Sequence, residues 1–144
     1  MKFLFSIFLV LVHLTPMAQA KDYAGTYGKR SESASTQTLL EYSLALKLDG
    51  TFQVHIYRNL DPTQPEENWF GKGTWTQEGS HTIIFHTNEQ TDLDETFTMN
   101  LSNTKARSNR KSSRNTSTKV VQESIRFFQS DILWFKGLTL LKVD

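Results

Sequence analysis

The chain of 144 residues carries 16 Lys and Arg against 15 Asp and Glu, so its formal net charge is only +1. A balance so close to neutral does not predict a global attraction to nucleic acid or to an anionic membrane. Cysteine is absent, which excludes disulfides, thiolate metal ligands and thiol redox chemistry.

The first part of the chain has the pattern of a targeting segment. Lys2 precedes an almost wholly apolar run, and Ala18-Gln19-Ala20 is typical of a signal-peptidase cleavage site. The apolar run is short for a membrane span, and no cysteine follows to carry a lipid. We therefore expect a signal peptide at 1–20 and a single exported domain at 21–144, secreted or periplasmic and without a membrane span after cleavage. An N-terminal membrane anchor is the alternative.

The strongest strand signal is a run of alternating leucines. Leu44, Leu46 and Leu48 would share one face of a strand. Asp49-Gly50 follows and is typical of a two-residue hairpin turn. Phe52 then begins a second strand with the same alternation. The pattern predicts a β-hairpin with one buried face.

Other segments repeat this alternation, and no segment has convincing helical periodicity. Segment 31–38 is polar and is predicted to be a loop or a frayed strand end, and the polar segment 102–118 is a predicted loop. Two glycines inside the segment after residue 67 indicate a bulge, a bend or a close backbone approach. Consecutive short strands favour an up-and-down meander, and closure removes its exposed edges. We therefore expect an all-β fold, an antiparallel up-and-down barrel of about eight strands. Beyond a first strand near residue 25, the predicted strands are 39–48, 51–60, 68–77, 81–87, 96–101, 119–129 and 132–143.

Three motifs carry a resemblance to a known family. Gly25-Thr26-Tyr27, Leu46-x-Leu48-Asp49-Gly50-Thr51-Phe52 and Gly73-Thr74-Trp75 resemble small exported bacterial lipocalin-like domains, including the N-terminal domains of copper-resistance lipoproteins. The resemblance implies a calycin-type barrel in which Tyr27 takes the place of the family's tryptophan and Lys142 is its basic partner. The Cys-x-x-Cys of the copper-resistance relatives is missing, so their metal or redox role is not carried over.

The second half of the chain carries a second resemblance. Segments 103–107, 111–114 and 132–137 are similar to small uncharacterised exported proteins of Bacteroidetes-type bacteria. This resemblance brings no known activity with it.

A basic segment, 105–119, is the most unusual feature of the composition. Six basic residues occur there without one acid. One interpretation is an anion-binding loop for an acidic partner or an envelope glycan; the segment lacks the stacking aromatics of a single-strand nucleic-acid binder, so no specific nucleic acid is expected. The alternative is a solvated loop balanced by the acidic loop 88–95. The candidate anion-binding residues are Lys105, Arg107, Arg110 and Arg114.

Aromatic residues on the predicted strands would either line a ligand cavity or pack as a core. Glu123 shares its strand face with Ile125 and Phe127, so it is predicted to be paired, at the barrel rim or in contact with a ligand, with the rim favoured. The candidate ligand-binding residues are Tyr57, Trp75, Glu123 and Phe127.

Catalytic and metal motifs do not stand out. The histidines have no partner at a recognised ligand spacing, and no base accompanies a nucleophile. We expect a non-enzymatic protein without metal or cofactor, holding a small apolar or amphipathic ligand in the barrel. The alternative is a filled-core interaction module that binds an acidic partner or envelope glycan through loop 105–119. The oligomeric state stays open.

Overall fold

Strand follows strand through residues 22–112 and 114–144, the part of the chain that the computed structural model describes. The predicted signal peptide, 1–20, lies outside the described residues. A short 3₁₀ helix, Leu133–Phe135, precedes the last strand. The nine strands are β1 (Gly25–Ser33), β2 (Thr38–Leu46), β3 (Thr51–Asn59), β4 (Glu67–Glu78), β5 (Thr82–His86), β6 (Phe97–Met99), β7 (Thr104–Asn109), β8 (Ser124–Gln129) and β9 (Thr139–Lys142).

Eight of these strands close into a ring. The order is β1-β2-β3-β4-β5-β7-β8-β9, every neighbouring pair is antiparallel, and β9 returns to β1 with Gly28 opposite Leu141. The predicted all-β, antiparallel up-and-down barrel of eight strands is confirmed. β6 stands outside this ring and runs parallel to the first half of β4, where Phe97 lies opposite Phe70.

The ring contains a strand that the sequence interpretation placed in a loop. Segment 102–118 was predicted to be a loop throughout, and this was wrong for β7. The inward positions of β7 carry the small residues Thr104, Ala106 and Ser108, all buried, so the large apolar residues that normally reveal a strand are absent. Conversely, the predicted strand at 96–101 shortens to β6. The first predicted loop also shortens, because Ser33 pairs with Thr38.

The turn between β2 and β3 differs from the predicted two-residue hairpin. The Lys47 N–H donates to the Thr51 carbonyl oxygen at 2.9 Å, so the loop that this hydrogen bond closes has three residues, 48–50, rather than two. Gly50 has a φ of 84°, as the last position of such a loop requires. Leu48 therefore sits in the turn and is 57% exposed. Its predicted place on the buried face was wrong.

Aromatic rings pack through the barrel interior. The ring centroids of Phe52 and Phe85 are 5.1 Å apart, those of Phe85 and Phe127 are 5.5 Å apart, and those of Phe127 and Phe135 are 4.9 Å apart. All four side chains are at most 1% exposed. The rings thus form a continuous row of edge-to-face and tilted contacts inside the barrel.

The predicted close approach at a glycine of β4 is present. A Cβ atom on Gly73 would lie 2.1 Å from the His86 carbonyl oxygen and 2.9 Å from the Phe52 ring. Only glycine lets β4 and β5 come this close while Phe52 fills the interior.

Tyr23 covers one end of the barrel. It is 1% exposed, and its hydroxyl donates a hydrogen bond to the Ser80 carbonyl oxygen. The Tyr27 hydroxyl donates in turn to the Tyr23 carbonyl oxygen at 2.8 Å. The opposite end, which the 3₁₀ helix approaches, is the barrel mouth.

Candidate functional site

The barrel mouth brings three aromatic side chains together. Tyr42 and Trp69 lie on the inward faces of β2 and β4 and are partly buried against the core. Trp134 lies between them, with ring centroids 6.1 Å from Tyr42 and 5.8 Å from Trp69. We call these three residues the aromatic mouth.

The 3₁₀ helix holds Trp134 in this position. Phe135 inserts fully into the core, and its ring centroid is 4.9 Å from that of Trp134. The Phe135 N–H donates to the Ile132 carbonyl oxygen at 3.0 Å, which closes the turn. Because Phe135 is anchored, Trp134 remains 44% exposed and Leu133 86% exposed. Leu133, Trp134 and Phe135 are successive large apolar residues, and three such neighbours cannot all face the core. This run is the feature of the sequence that could have indicated an exposed apolar side chain.

Arg58 supports the wall of the mouth. Its guanidinium carbon lies 4.5 Å from the Trp69 ring centroid, and its guanidinium forms an ion pair with the Glu67 carboxylate. Partial burial raises the pKa of the Tyr42 hydroxyl, and the Arg58 charge opposes this rise. The mouth therefore presents the neutral phenol of Tyr42 and the indole of Trp69. The Arg58 guanidinium that lies against this indole is already paired with Glu67.

A cleft of about 380 Å³ opens beside these rings. Asn100 and Asp131 supply polar groups at its edge. The Asn100 amide donates to Glu89, and the Asp131 carboxylate accepts a hydrogen bond from Asn103 at 3.0 Å. An amide nitrogen has two hydrogens and a carboxylate several lone pairs, so both can form further hydrogen bonds. The residues lining this mouth cleft are Trp69, Thr98, Met99, Asn100, Asp131, Ile132 and Trp134.

The four candidate ligand residues do not meet in one site. Trp75 and Phe127 are core residues, and the Trp75 indole N–H donates to the Lys47 carbonyl oxygen at 3.1 Å. Tyr57 lies on the outer face of β3. Glu123 lies at the rim near Tyr23, far from the mouth in the strand register, and is 3.0 Å from the Lys142 ammonium.

The basic segment is also divided by the fold. Lys105 pairs with Glu78 at 3.4 Å, and Arg110 pairs with Asp22 at 3.1 Å. Glu78 is the last residue of β4 and Asp22 lies before β1, so neither Lys105 nor Arg110 is balanced by the acidic loop 88–95. Arg107 points outward from β7, and Arg114 lies exposed in the loop before β8.

No family model, curated protein or solved structure matches the chain. The lipocalin-like resemblance therefore remains a prediction. The register does put Tyr27 directly opposite Lys142, as that resemblance implied, but the Lys142 ammonium binds Glu123. The cation over an aromatic ring at this end is Arg110, 4.8 Å from the Tyr23 ring centroid.

Within 22–112 and 114–144, no helix is long and apolar enough to cross a membrane. The described part of the chain also contains no group of three or more His, Asp and Glu side chains placed to hold a metal ion.

Proposed function

We propose that this chain is an exported, non-enzymatic binding protein that holds a small amphipathic ligand in the mouth cleft. The observation that carries the proposal is the exposure of Trp134 beside Trp69. An indole that is 44% exposed next to a second aromatic wall leaves apolar surface that a ligand would bury.

The mouth is favoured over the barrel interior as the binding place. The row of phenylalanine rings occupies the interior, and the exposed aromatic surface lies beyond Phe135 at the end of that row. The sequence-based hypothesis of a small ligand held in the barrel is therefore proposed here for the barrel mouth. Phe127 then supports the site from below through its contact with Phe135, whereas Trp75 lies near the β2–β3 turn, away from the mouth.

The lining of the cleft indicates the ligand chemistry. Ligand pockets are typically about 300–1,000 Å³ and combine an apolar wall with a few polar groups; the cleft, at about 380 Å³, lies within that range. A ring or short hydrocarbon would lie against the indoles of Trp69 and Trp134. Hydroxyl or amine groups on the same ligand would face Asn100 and Asp131.

Export is the part of the proposal that rests on the sequence alone. The apolar run before Ala18-Gln19-Ala20 supports a cleaved signal peptide. A secreted or periplasmic location would expose the barrel to small molecules outside the cytoplasm. Comparing the N-terminal residue of the purified protein with that of the encoded chain tests this part directly.

The binding proposal is tested with a neutral fluorescent probe, N-phenyl-1-naphthylamine. Its emission rises when it leaves water, and its lack of charge keeps it from basic surfaces. We expect saturable binding to the wild type and at least about tenfold weaker binding to Trp134→Ala, because the indole wall is removed. Leu48→Ala is the matched control, since Leu48 is also exposed but lies in the β2–β3 turn. Equal binding by all three proteins, or none by the wild type, would overturn the proposal.

A further inference from the structure

Two arginines face each other across β7 and β8. The register puts Arg107 directly opposite Arg126, and both are exposed while their neighbours Ala106 and Phe127 are buried. Directly opposite residues in an antiparallel pair have Cβ atoms about 4.5–5.5 Å apart, and like charges at this position are destabilising. The stability of the fold therefore does not explain why Arg107 and Arg126 lie opposite each other.

A β-bulge places an aromatic side chain beside this pair. Lys105 lies opposite Gln129 and Ala106 lies opposite Phe127, so Phe128 is the extra residue of β8. Phe128 is 40% exposed, and the Arg107 guanidinium carbon lies 5.6 Å from its ring centroid. The bulge thus turns a large apolar ring outward and sets it against one of the arginines.

The segment after the 3₁₀ helix brings a third cation. The Gly137 N–H donates to the Phe127 carbonyl oxygen at 2.8 Å, and the Phe127 N–H donates to the Leu138 carbonyl oxygen at 2.9 Å. These bonds hold Lys136 next to β8. Arg107, Arg126, Phe128, Lys136 and Gly137 together line an open groove of about 960 Å³, which we call the basic groove.

The cations of the basic groove differ from their neighbours in having no acidic partner. Lys105, Arg110 and Lys142 each form an ion pair. Among residues 22–112 and 114–144, no carboxylate lies within 4.0 Å of the charged groups of Arg107, Arg126 or Lys136. The remaining positions, 1–21 and Ser113, contain no Asp or Glu. The chain itself therefore does not neutralise this groove.

We propose that the basic groove is a binding site for a phosphate-type dianion. Guanidinium forks match the geometry of phosphate oxygens and bind them through paired hydrogen bonds. An anion between Arg107 and Arg126 would relieve their repulsion, and Lys136 would add a third charge. Phe128 gives the groove an apolar wall for an organic group attached to the anion. This site is separate from the mouth cleft, so either proposal can fail without the other.

The test is an NMR titration of the ¹⁵N-labelled protein with phenyl phosphate, inorganic phosphate and phenol at about 20 mM salt. We expect phenyl phosphate and inorganic phosphate to shift the amide signals of β7, β8 and residues 136–137 in a saturable way, and phenol to leave them in place. Tighter binding of phenyl phosphate would assign the groove to phosphorylated ligands, and equal binding would assign it to free phosphate.

Variants separate the groove from general surface charge. Arg107→Gln and Arg126→Gln are expected to weaken phenyl phosphate binding at least about tenfold. Arg126→Lys keeps the charge without the fork and is expected to bind weakly as well. Arg114→Gln removes an exposed arginine of loop 105–119 and should bind like the wild type. Equal losses in Arg114→Gln and Arg126→Gln, or shifts spread over the whole surface, would overturn the proposal.

Discussion

The indole rings of Trp69 and Trp134 lie with their centroids 5.8 Å apart and their planes tilted by 37°. The two residues come from β4 and from the 3₁₀ helix before β9, so only closure of the barrel brings them together. The Trp69 indole is partly buried against the core, and the Trp134 indole is 44% exposed. This arrangement separates a supporting aromatic from one that is available to a ligand.

Trp75 and Trp134 are predicted to differ in their contribution to stability. Trp75 is 4% exposed and donates a hydrogen bond to Lys47, so Trp75→Ala should lower the free energy of unfolding by about 3–5 kcal/mol. Trp134→Ala should lower it by less than about 2 kcal/mol, because much of its surface is already exposed. Urea unfolding of both variants measures the difference. A larger loss for Trp134→Ala would mean that the exposed indole is a structural residue.

Replacing either arginine of the facing pair is predicted to stabilise the protein when no anion is present. Arg126→Gln removes the repulsion with Arg107 and should raise the free energy of unfolding by roughly 0.2–1 kcal/mol at low salt. The gain should shrink towards zero at about 1 M NaCl, because salt screens exposed charges. Arg114→Gln is the control and should show no such gain. Thermal unfolding in phosphate-free buffer at both salt concentrations provides the comparison.

Gly73 is predicted to tolerate no side chain. The Cβ of Gly73→Ala would lie 2.1 Å from the His86 carbonyl oxygen, and relieving this overlap requires β4 and β5 to move apart. We expect a loss of about 3 kcal/mol or more in the free energy of unfolding. Gly28→Ala is the matched control, because the nearest atom to its new Cβ would be the Tyr42 carbonyl oxygen, at 3.3 Å. A similar loss in both variants would contradict the argument from close approach.

Tyr27 is predicted to make stability fall at alkaline pH. Burial, with a further contribution from the Glu123 charge, raises the pKa of the Tyr27 hydroxyl from 10.0 to about 12. Below pH 10 the hydroxyl is neutral in both the folded and the unfolded chain. Between pH 10 and 12 only the unfolded chain loses the proton, so the free energy of unfolding decreases, by about 3 kcal/mol in all.

The Tyr27→Phe variant isolates this effect from the titration of lysines. It lacks the hydrogen bond to Tyr23, so it should be less stable than the wild type at pH 8 by roughly 1 kcal/mol. Between pH 10 and 12 the wild type should lose this advantage and become less stable than Tyr27→Phe, by roughly 2 kcal/mol at pH 12. Urea unfolding of both proteins across this range gives the measurement. Parallel curves for the two proteins would show that Tyr27 does not titrate with a raised pKa.

The candidate sites were predictable only in part. Trp134 and Arg107 were recognisable as unusual residues from the aromatic run and the basic segment. Trp69 also stood among the candidate aromatic residues, but its contact with Trp134 and the pairing of Arg107 with Arg126 were not predictable, because barrel closure and strand register decide them. Glu123 forms an ion pair with Lys142, and its position two residues before Ile125 left a pairing, a rim position and a ligand contact all open. Tyr57 could have been placed outside by strand parity, as it alternates with the inward residues of β3.

The amino-acid sequence by itself determined the class of fold. Alternation of apolar residues with a period of two specifies strands with one buried face, and short turns join consecutive strands in an antiparallel meander. The glycines of β4 indicated a bulge, a bend or a close approach, and the tertiary structure decided in favour of a close approach at Gly73. Tertiary structure decided which strands form the ring. It brought β7 in because the closed barrel buries its small residues Thr104 and Ala106, which carry too little apolar surface to be recognised alone. It also created both candidate sites, because each combines side chains whose proximity depends on barrel closure and strand register.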